Sequence, residues 1–505
     1  MADIEKKSGY VALVGAGPGD PGLITVRGMK LITDCDVLVY DNLMADEYIA
    51  VSNATEKIFV GKSSGRHALP QEQINELLVE KAKEGKFVVR LKGGDSFVFG
   101  RGGEEINSLT KADIAYEIVP GITAGIAGPA YAGIPVTHRE LSRGVTMMTA
   151  HFAKNKNVEL PWKALANLGH TLVFYMGIAS LEKLGTSLIN AGMSPDISAA
   201  VLERATTGSQ RNVIATLGTI AEKCRESGVK PPGLIVIGDV VNLEKTLKWL
   251  PERPLEGKGI MFTRAAKSQY KAVHMLRRLG AEVLDVPVVK TVARKNDEAI
   301  ESALENLEQY KSIAFTSALG VDIFFEAMHE KGMDVRSLSK HILAAASKTV
   351  IGALKDKGVI ADVTPEKTGG GNLAKILSAS GLEQGAKILL PRSSAADNAL
   401  PESMIKAGFD PHSLSVYDSV PTDLSWLKVK LNNWTPDAVA FLSGTGVNAI
   451  KQAAPQLFEG DNQPLWACVG HKTAESLKQY GIEADILPQI PDVDALAEVV
   501  KAKLA

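Results

Sequence analysis

The chain has 505 residues, 45% of them hydrophobic and 23% charged, ordinary globular proportions at a length that favours several domains over one. Its formal net charge is −2, so no overall basic field recruits nucleic acid, and an acidic ligand needs a local cluster of cations. Cys35, Cys224 and Cys468 form no CxxC pair, which argues against a disulfide framework or a zinc site and suits a reducing cytoplasm. The N-terminal MADIEKKSGY has no signal-peptide core, and no run approaches the roughly 18 apolar residues of a membrane helix. A cytoplasmic protein without metal, membrane or nucleic-acid partners is expected.

In chain order, short β-branched runs alternate with helical patterns: DVLVY, KFVVRL, TLVFYM, GLIVIG, SIAFTS, KILLP and AVAFLS. The alternation predicts an α/β protein with largely parallel sheets. Two prolines and a charged, glycine-containing stretch in LPERPLEGKG place a boundary near Pro251–Gly257, before a strand at Gly259–Thr263. Beyond it the chain repeats itself. IAFTSALGV from Ile313 aligns with VAFLSGTGV from Val439, SKTVIGALKDKGVIAD from Ser347 with HKTAESLKQYGIEAD from His471, and FTR at Arg264 with LPR at Arg392. Near-constant spacing across three blocks predicts two similar α/β lobes with a ligand cleft between them.

Three glycine-rich blocks occupy the first 150 residues. VGAGPGDPGLIT, Val14 to Thr25, follows a strand and precedes a helix, the setting of a dinucleotide fingerprint. Its interior opposes phosphate: Pro18 deletes an N–H donor, and Asp20 stands as an anion where a pyrophosphate would sit. Asp41, closing VLVYD, is where a ribose-binding acid would fall in that rejected reading. An uncharged or cationic ligand suits the loop better. RLKGGDSFVFGRGGEE puts Gly93, Gly94 and Asp95 just past a strand end, a ligand-facing position in open α/β sheets. VPGITAGIAGPAYAGIPVTHRELSRG adds small residues and a basic tail.

These blocks, with VYD, FYMG and GLIVIGDVV, resemble the uroporphyrinogen-III C-methyltransferases of the tetrapyrrole methylase family over about residues 9–250. The resemblance implies a two-lobed fold with S-adenosylmethionine between the lobes, and two methylations of uroporphyrinogen III to precorrin-2. It places cofactor contacts on Pro18, Gly93, Gly94, Asp95, Val98, Thr123, Ala124, Met176 and Ala205, mostly through backbone groups. It suggests Asp41 and Lys62 for proton transfer, and a tetrapyrrole pocket lined by Arg101, Glu104, Arg139, His151 and Tyr175, with Arg101 the residue most engaged in the chemistry. The substrate's eight carboxylates suit bidentate arginines. Two residues depart from the family pattern: Ser96 in place of proline, and Ala205 in place of glycine, which adds a methyl near the expected adenosine.

From about residue 257 on, FTR, IAFTSALGV, ILLPR, VYDSV, VAFLSGTGV and ACVGHKTAESL resemble uroporphyrinogen-III synthase. This implies cyclisation of hydroxymethylbilane with inversion of ring D, without a cofactor, because the bilane loses hydroxide to form an electrophile that its own ring attacks. A protein performing this step must shape the substrate and stabilise a cation. Tyr417 and Thr473 are the candidate catalytic residues, followed by Ser317 and Ser443 as candidate substrate contacts. Leu319 replaces a usual asparagine, Ala344–Ser347 lacks a usual glycine, and His471 replaces a common proline. The expected division is residues 1–250 for methyl transfer and 257–505 for cyclisation, with one lobe at 257–290 plus 420–505 and the other at 291–419. A homodimer through the N-terminal part is implied. An alternative reading keeps the methyltransferase and makes the C-terminal lobes a ligand-binding or sensor module without turnover.

Overall fold

The computed structural model describes residues 9–41, 47–61, 69–150, 160–250, 253–265, 271–294, 297–364, 370–432, 434–460 and 462–505. Lys62 and His151 lie outside these residues. The protein is α/β, and its strands carry the apolar runs of the sequence. β1 (Tyr10–Gly15), β2 (Val37–Tyr40), β3 (Glu56–Phe59), β4 (Phe87–Lys92) and β5 (Ala115–Val119) form a parallel sheet in the order β3-β2-β4-β1-β5. Val11, Leu13, Val37, Val39 and Val88 pack with Ile74 and Leu78 of the helix Gln71–Lys83. β1 lies between β4 and β5, so the loops leaving these three strands diverge at one edge, where open α/β sheets bind ligands.

β6 (Val145–Thr149), β7 (Thr171–Tyr175), β8 (Ser198–Glu203), β9 (Arg211–Thr216) and β10 (Gly233–Ile237) form a second sheet, ordered β6-β7-β10-β8-β9. Only β6 and β7 run parallel; β10 is antiparallel to β7 and β8, and β8 to β9. This departs from the largely parallel expectation. The loop 204–210 joining β8 to β9 is too short for the crossover of a dozen or more residues that parallel neighbours require.

The chain divides into two compact units, one of Met1–Arg264, Ser268–Val288 and Asp423–Ala505, the other of Ala265–Lys267 and Val289–Thr422. The N-terminal sheets therefore share a unit with part of the C-terminal half. β11 (Gly259–Ala265) leads that part, and β12 (Glu282–Ala293) passes from the first unit into the second. In the second unit, β13 (Ser312–Phe315), β14 (Ile342–Ala345), β15 (Lys387–Ser393) and β16 (Asp410–Pro421) follow the order β14-β13-β15-β16, and β16 runs antiparallel to Val289–Ala293 of β12. Phe315, Phe324 and Phe325 centre its core, and Leu319 packs against it. In the first unit, β17 (Ala438–Phe441) lies between β11 and β18 (Leu465–Cys468), all parallel.

The repeat seen in the sequence recurs in the helix caps. Ser317 after β13 accepts a hydrogen bond from the Gly320 N–H, and Ser443 after β17 accepts one from the Gly446 N–H. Ser347 caps the helix Lys348–Asp356 in the same way, whereas the helix His471–Lys478 starts from Gly470 with no side-chain cap. His471 is the first helical residue there, which is why a proline is acceptable at that position. Ser443→Ala is expected to lower stability by about 1 kcal/mol, the usual cost of a lost N-cap. Ser317→Ala should cost more, since its hydroxyl also bonds Tyr417; urea denaturation curves of the two variants check the ranking.

Candidate functional site

Three backbones meet at the diverging edge of the first sheet. A Cβ on Gly121 would stand 2.1 Å from the Gly94 carbonyl oxygen, and one on Gly15 would stand 2.5 Å from the Gly121 nitrogen. Gly17 and Gly94 exchange backbone hydrogen bonds of 3.1 and 2.7 Å. Contact of backbone on backbone therefore demands glycine at 15 and 121, before any ligand is considered, whereas Gly17 and Gly94 are favoured by φ of +79° and +67°. One side stays open: a Cβ on Gly94 would find its nearest neighbours, Thr123 and Ala124, 3.9 Å away.

Asp95 fastens this junction. One of its carboxylate oxygens accepts the N–H groups of Phe97 (2.8 Å) and Val98 (3.2 Å), and the other accepts that of Gly121 (3.0 Å). Its sequence-based role as an acceptor for a ribose or amino group must share a carboxylate already bonded to three backbone donors. Asp20, the anion of the first loop, is likewise structural. It accepts from the Gly22 N–H and the Tyr131 hydroxyl, each at 2.7 Å. Ser96 is fully buried, and its hydroxyl has no partner among the described residues.

The helix Ala124–Tyr131 gathers the remaining loops. Tyr175, at the end of β7, places its hydroxyl 2.7 Å from both the Thr123 hydroxyl and the Gly125 N–H, and burial pushes its phenol above the ordinary value. Phe99 packs on its ring at 4.8 Å between centroids. Met176 follows with φ +55° and stands more than half exposed. Ala205 is buried, and its methyl lies 2.9 Å from where a Gly128 Cβ would be. The methyl that Ala205 carries in place of the glycine expected there is thus received by a glycine of the helix. The Gly19 side of the first loop, next to half-buried Pro18, abuts Ala205, Thr206 and Thr207. Pro18, Gly93, Gly94, Asp95, Val98, Thr123, Ala124, Met176 and Ala205 accordingly fall on loops that meet around this one helix. Phe99, Arg101, Met176, Arg204 and Thr206 on these loops are non-glycine residues at positive φ, a strain that persists only where surrounding contacts enforce it.

Asp41, at the end of β2, bonds the Arg90 guanidinium at 3.3 Å. Behind it lies a buried charge cluster that the sequence reading missed. Glu105 is fully buried and receives Arg90 at 3.1 Å and the Lys92 ammonium at 2.9 Å, with Gln71 at 3.3 Å. Burial, and the Arg90 charge beside it, hold the Lys92 ammonium below its ordinary value, with Glu105 opposing. Two cations at alternate positions of a central strand, in VVRLK, were the available signal, because such a strand is buried on both faces. Arg101 and Glu104 form a bidentate pair at 2.7 Å on the surface, and the hydrogen bonds from Arg101 hold the Glu104 carboxyl below its usual value. Arg139 is exposed in the turn closed by His138 and Ser142.

In the C-terminal half, Ser317 and Tyr417 come together at 3.1 Å between hydroxyls. Beside them, Asp418 bonds Arg294 at 2.9 Å, which holds its carboxyl down. Thr473 is buried in the first turn of the helix His471–Lys478, and Ser443 caps the helix Gly444–Ala453. Arg264, ending the FTR motif, pairs with Asp285 at 2.6 Å; burial raises that carboxyl, and Arg264 opposes the rise. Among the described residues no group of histidine, cysteine and carboxylate side chains could hold a metal, and no helix is long and apolar enough to cross a membrane.

Removing Glu105 would leave two buried cations without their shared partner. Glu105→Ala is expected to destabilise the protein by about 3–5 kcal/mol, measurable as a lower denaturation midpoint.

Comparison with known proteins finds two families along the chain. The tetrapyrrole (corrin/porphyrin) methylases match residues 10–221, and uroporphyrinogen-III synthase HemD matches residues 270–498. The porphyrin biosynthesis protein HemD of Ruminiclostridium josui is 37% identical over 476 residues, 94% of either chain. The uroporphyrinogen-III C-methyltransferase of Bacillus subtilis is 40% identical over 356 residues, 70% of this chain and 73% of its own. That of Methanocaldococcus jannaschii is 50% identical over 238 residues, 47% of this chain and 98% of its own.

Proposed function

We propose, for a chain that belongs to the tetrapyrrole methylases in its N-terminal half and to the uroporphyrinogen-III synthases in its C-terminal half, that it converts hydroxymethylbilane to precorrin-2. The protein is a bifunctional enzyme of tetrapyrrole biosynthesis. In the proposed sequence, residues 257–505 close the bilane to uroporphyrinogen III with inversion of ring D, and residues 1–250 then methylate that product twice.

The observation that carries the methyl-transfer reading is the convergence of three glycine-rich loops on the helix Ala124–Tyr131, with open space beside Gly94 and no lysine or arginine from Val14 to Ile24. Backbone groups and the small or apolar Ala124, Val98, Met176 and Ala205 suit an adenosyl group and a sulfonium better than a diphosphate. S-adenosylmethionine bound there would supply an electrophilic methyl group. The chain's own residues do the rest. Pro18, Gly93, Gly94, Asp95, Val98, Thr123, Ala124, Met176 and Ala205 shape and hold the cofactor site. Asp41, held at a strand end by Arg90, takes up the proton that the macrocycle releases after methylation has left it cationic, with Lys62 assisting. Arg101, Arg139, His151 and Tyr175 hold the substrate carboxylates, with Glu104 lining the same pocket; Arg101 can do so only by exchanging its Glu104 partner for substrate, an exchange that arginine's bidentate geometry allows.

For ring closure, the Tyr417–Ser317 hydroxyl pair is the strongest support for assigning Tyr417 to the reacting bilane, with Thr473 as the second catalytic candidate and Ser443 as a further substrate contact. We place the enzyme in the cytoplasm as a homodimer formed through its methyltransferase half.

An anaerobic mixture of hydroxymethylbilane, methyl-labelled S-adenosylmethionine and the protein is expected to yield doubly labelled precorrin-2. A type I product alone would refute the cyclisation, and an unlabelled product would refute methyl transfer. Asp41→Asn should lower kcat for methylation by about 10²-fold or more, the usual share of a general base, while cyclisation by the same preparation continues.

A further inference from the structure

The loop 204–210 between β8 and β9 is held from two sides. On one side it meets the first glycine loop: the Asp20 N–H donates to the Thr206 hydroxyl at 3.0 Å, and a Cβ on Gly19 would stand 2.7 Å from the Thr207 side chain. On the other side it meets the C-terminal half within the same compact unit. A Cβ on Gly208 would lie 2.4 Å from the Ala281 carbonyl carbon and oxygen and from the Glu282 nitrogen. The Glu282 carboxylate accepts from the Ser209 hydroxyl at 2.9 Å and pairs with Lys430 at 3.3 Å and Arg204 at 3.8 Å. Arg253, from the segment joining the halves, donates to the carbonyls of Thr207 (3.0 Å) and Gly208 (2.9 Å). Two residues further on, Leu255 is fully buried in the C-terminal core with Ile260 and Leu276.

Arg204 and Thr206 sit at φ +46° and +68°, conformations that a loop retains only when its surroundings enforce them. The enforcement comes from Gln210, which accepts the Thr206 N–H at 2.6 Å, and from the C-terminal half. Ala205, between these two residues, turns its methyl to Gly128 of the helix around which the cofactor loops meet.

We propose that Glu282 and Arg253 are positioning residues of the methyltransferase: the synthase half clamps the β8–β9 loop and so sets the cofactor-facing position of Ala205. The proposal rests on the reading of that site as the S-adenosylmethionine site. It gives the fusion a physical consequence, because a wall of one active site is braced by the domain of the other.

The test uses full-length Glu282→Ala and Gly208→Ala proteins and calorimetric titration with S-adenosylhomocysteine, beside steady-state methylation and bilane cyclisation. Both variants are expected to raise the Kd for S-adenosylhomocysteine and the KM for S-adenosylmethionine by about three- to tenfold, the scale of one ordinary hydrogen bond lost. Methylation kcat at saturating cofactor and the rate of cyclisation should stay within about twofold of wild type. Glu282→Gln, which keeps an acceptor for Ser209, should recover most of the affinity. Wild-type affinity in both variants would overturn the clamp, as would a parallel loss of methylation and cyclisation, which marks a general folding defect. A wild-type chain that binds no S-adenosylhomocysteine would instead overturn the reading of the cofactor site.

Discussion

The methylase half depends on a steric constraint, the approach of the Gly15 and Gly121 backbones to each other and to the Gly94 carbonyl at distances that leave no room for a Cβ on either. β1, β4 and β5 are neighbours in one sheet, so their outgoing loops must pass each other at its edge. With side chains in the way these loops would splay apart. With glycines they lock, through the paired hydrogen bonds of Gly17 with Gly94 and the three-donor grip of Asp95. The helix Ala124–Tyr131 then begins just past the junction, and the second sheet delivers Tyr175 and Ala205 to it. Glycine, which in sequence looks like permission for a ligand to approach, acts first as permission for the protein to approach itself.

Electrostatics make the second layer. Asp41 reaches the site edge attached to a cluster in which Arg90 and Lys92 share buried Glu105, Asp41 itself supplying the second negative charge. Buried ion pairs contribute little net stability, but breaking one is costly. A cluster of this kind therefore fixes geometry more than it adds free energy, and here the geometry it fixes is the carboxylate proposed to accept the proton. The surface pair of Arg101 and Glu104 differs: it is solvated and easily exchanged, as suits the role proposed for Arg101, passing from a protein partner to a substrate carboxylate.

The two halves meet through backbone as much as through side chains. Gly208 lies against Ala281 and Glu282 about as closely as Gly15 and Gly121 lie against the backbone of the junction. Arg253 holds the carbonyls of the same loop from the connecting segment. The synthase half thus carries elements whose surroundings are set by the methylase, and the boundary between activities is not a boundary between compact units.

Much of this was legible in the sequence. The strand runs, the α/β class, the duplicated lobes and the two families follow from periodicity and ordered motifs, because hydrophobic pattern and turn residues are local properties. The candidate cofactor residues were named through the family resemblance those motifs carry, most of them in the glycine blocks and Met176 and Ala205 beyond them. The antiparallel second sheet was open to inference from the shortness of the loop 204–210, but strand direction depends on which strands pair, and no local run encodes pairing. What each residue touches was beyond reach. Asp95 proved to be occupied by backbone donors, Asp20 by the Gly22 N–H and the Tyr131 hydroxyl, Arg101 by Glu104, and Ser317 and Ser443 by the helices they cap. Arg90, Lys92 and Glu105, spread over two elements, became a cluster only once a strand and a helix packed together. The sequence by itself determined the chemistry available and the order of the elements. Tertiary structure alone decided which charges meet, which glycines are compelled by contact, and which half braces the other, because those depend on distances between segments far apart in the chain.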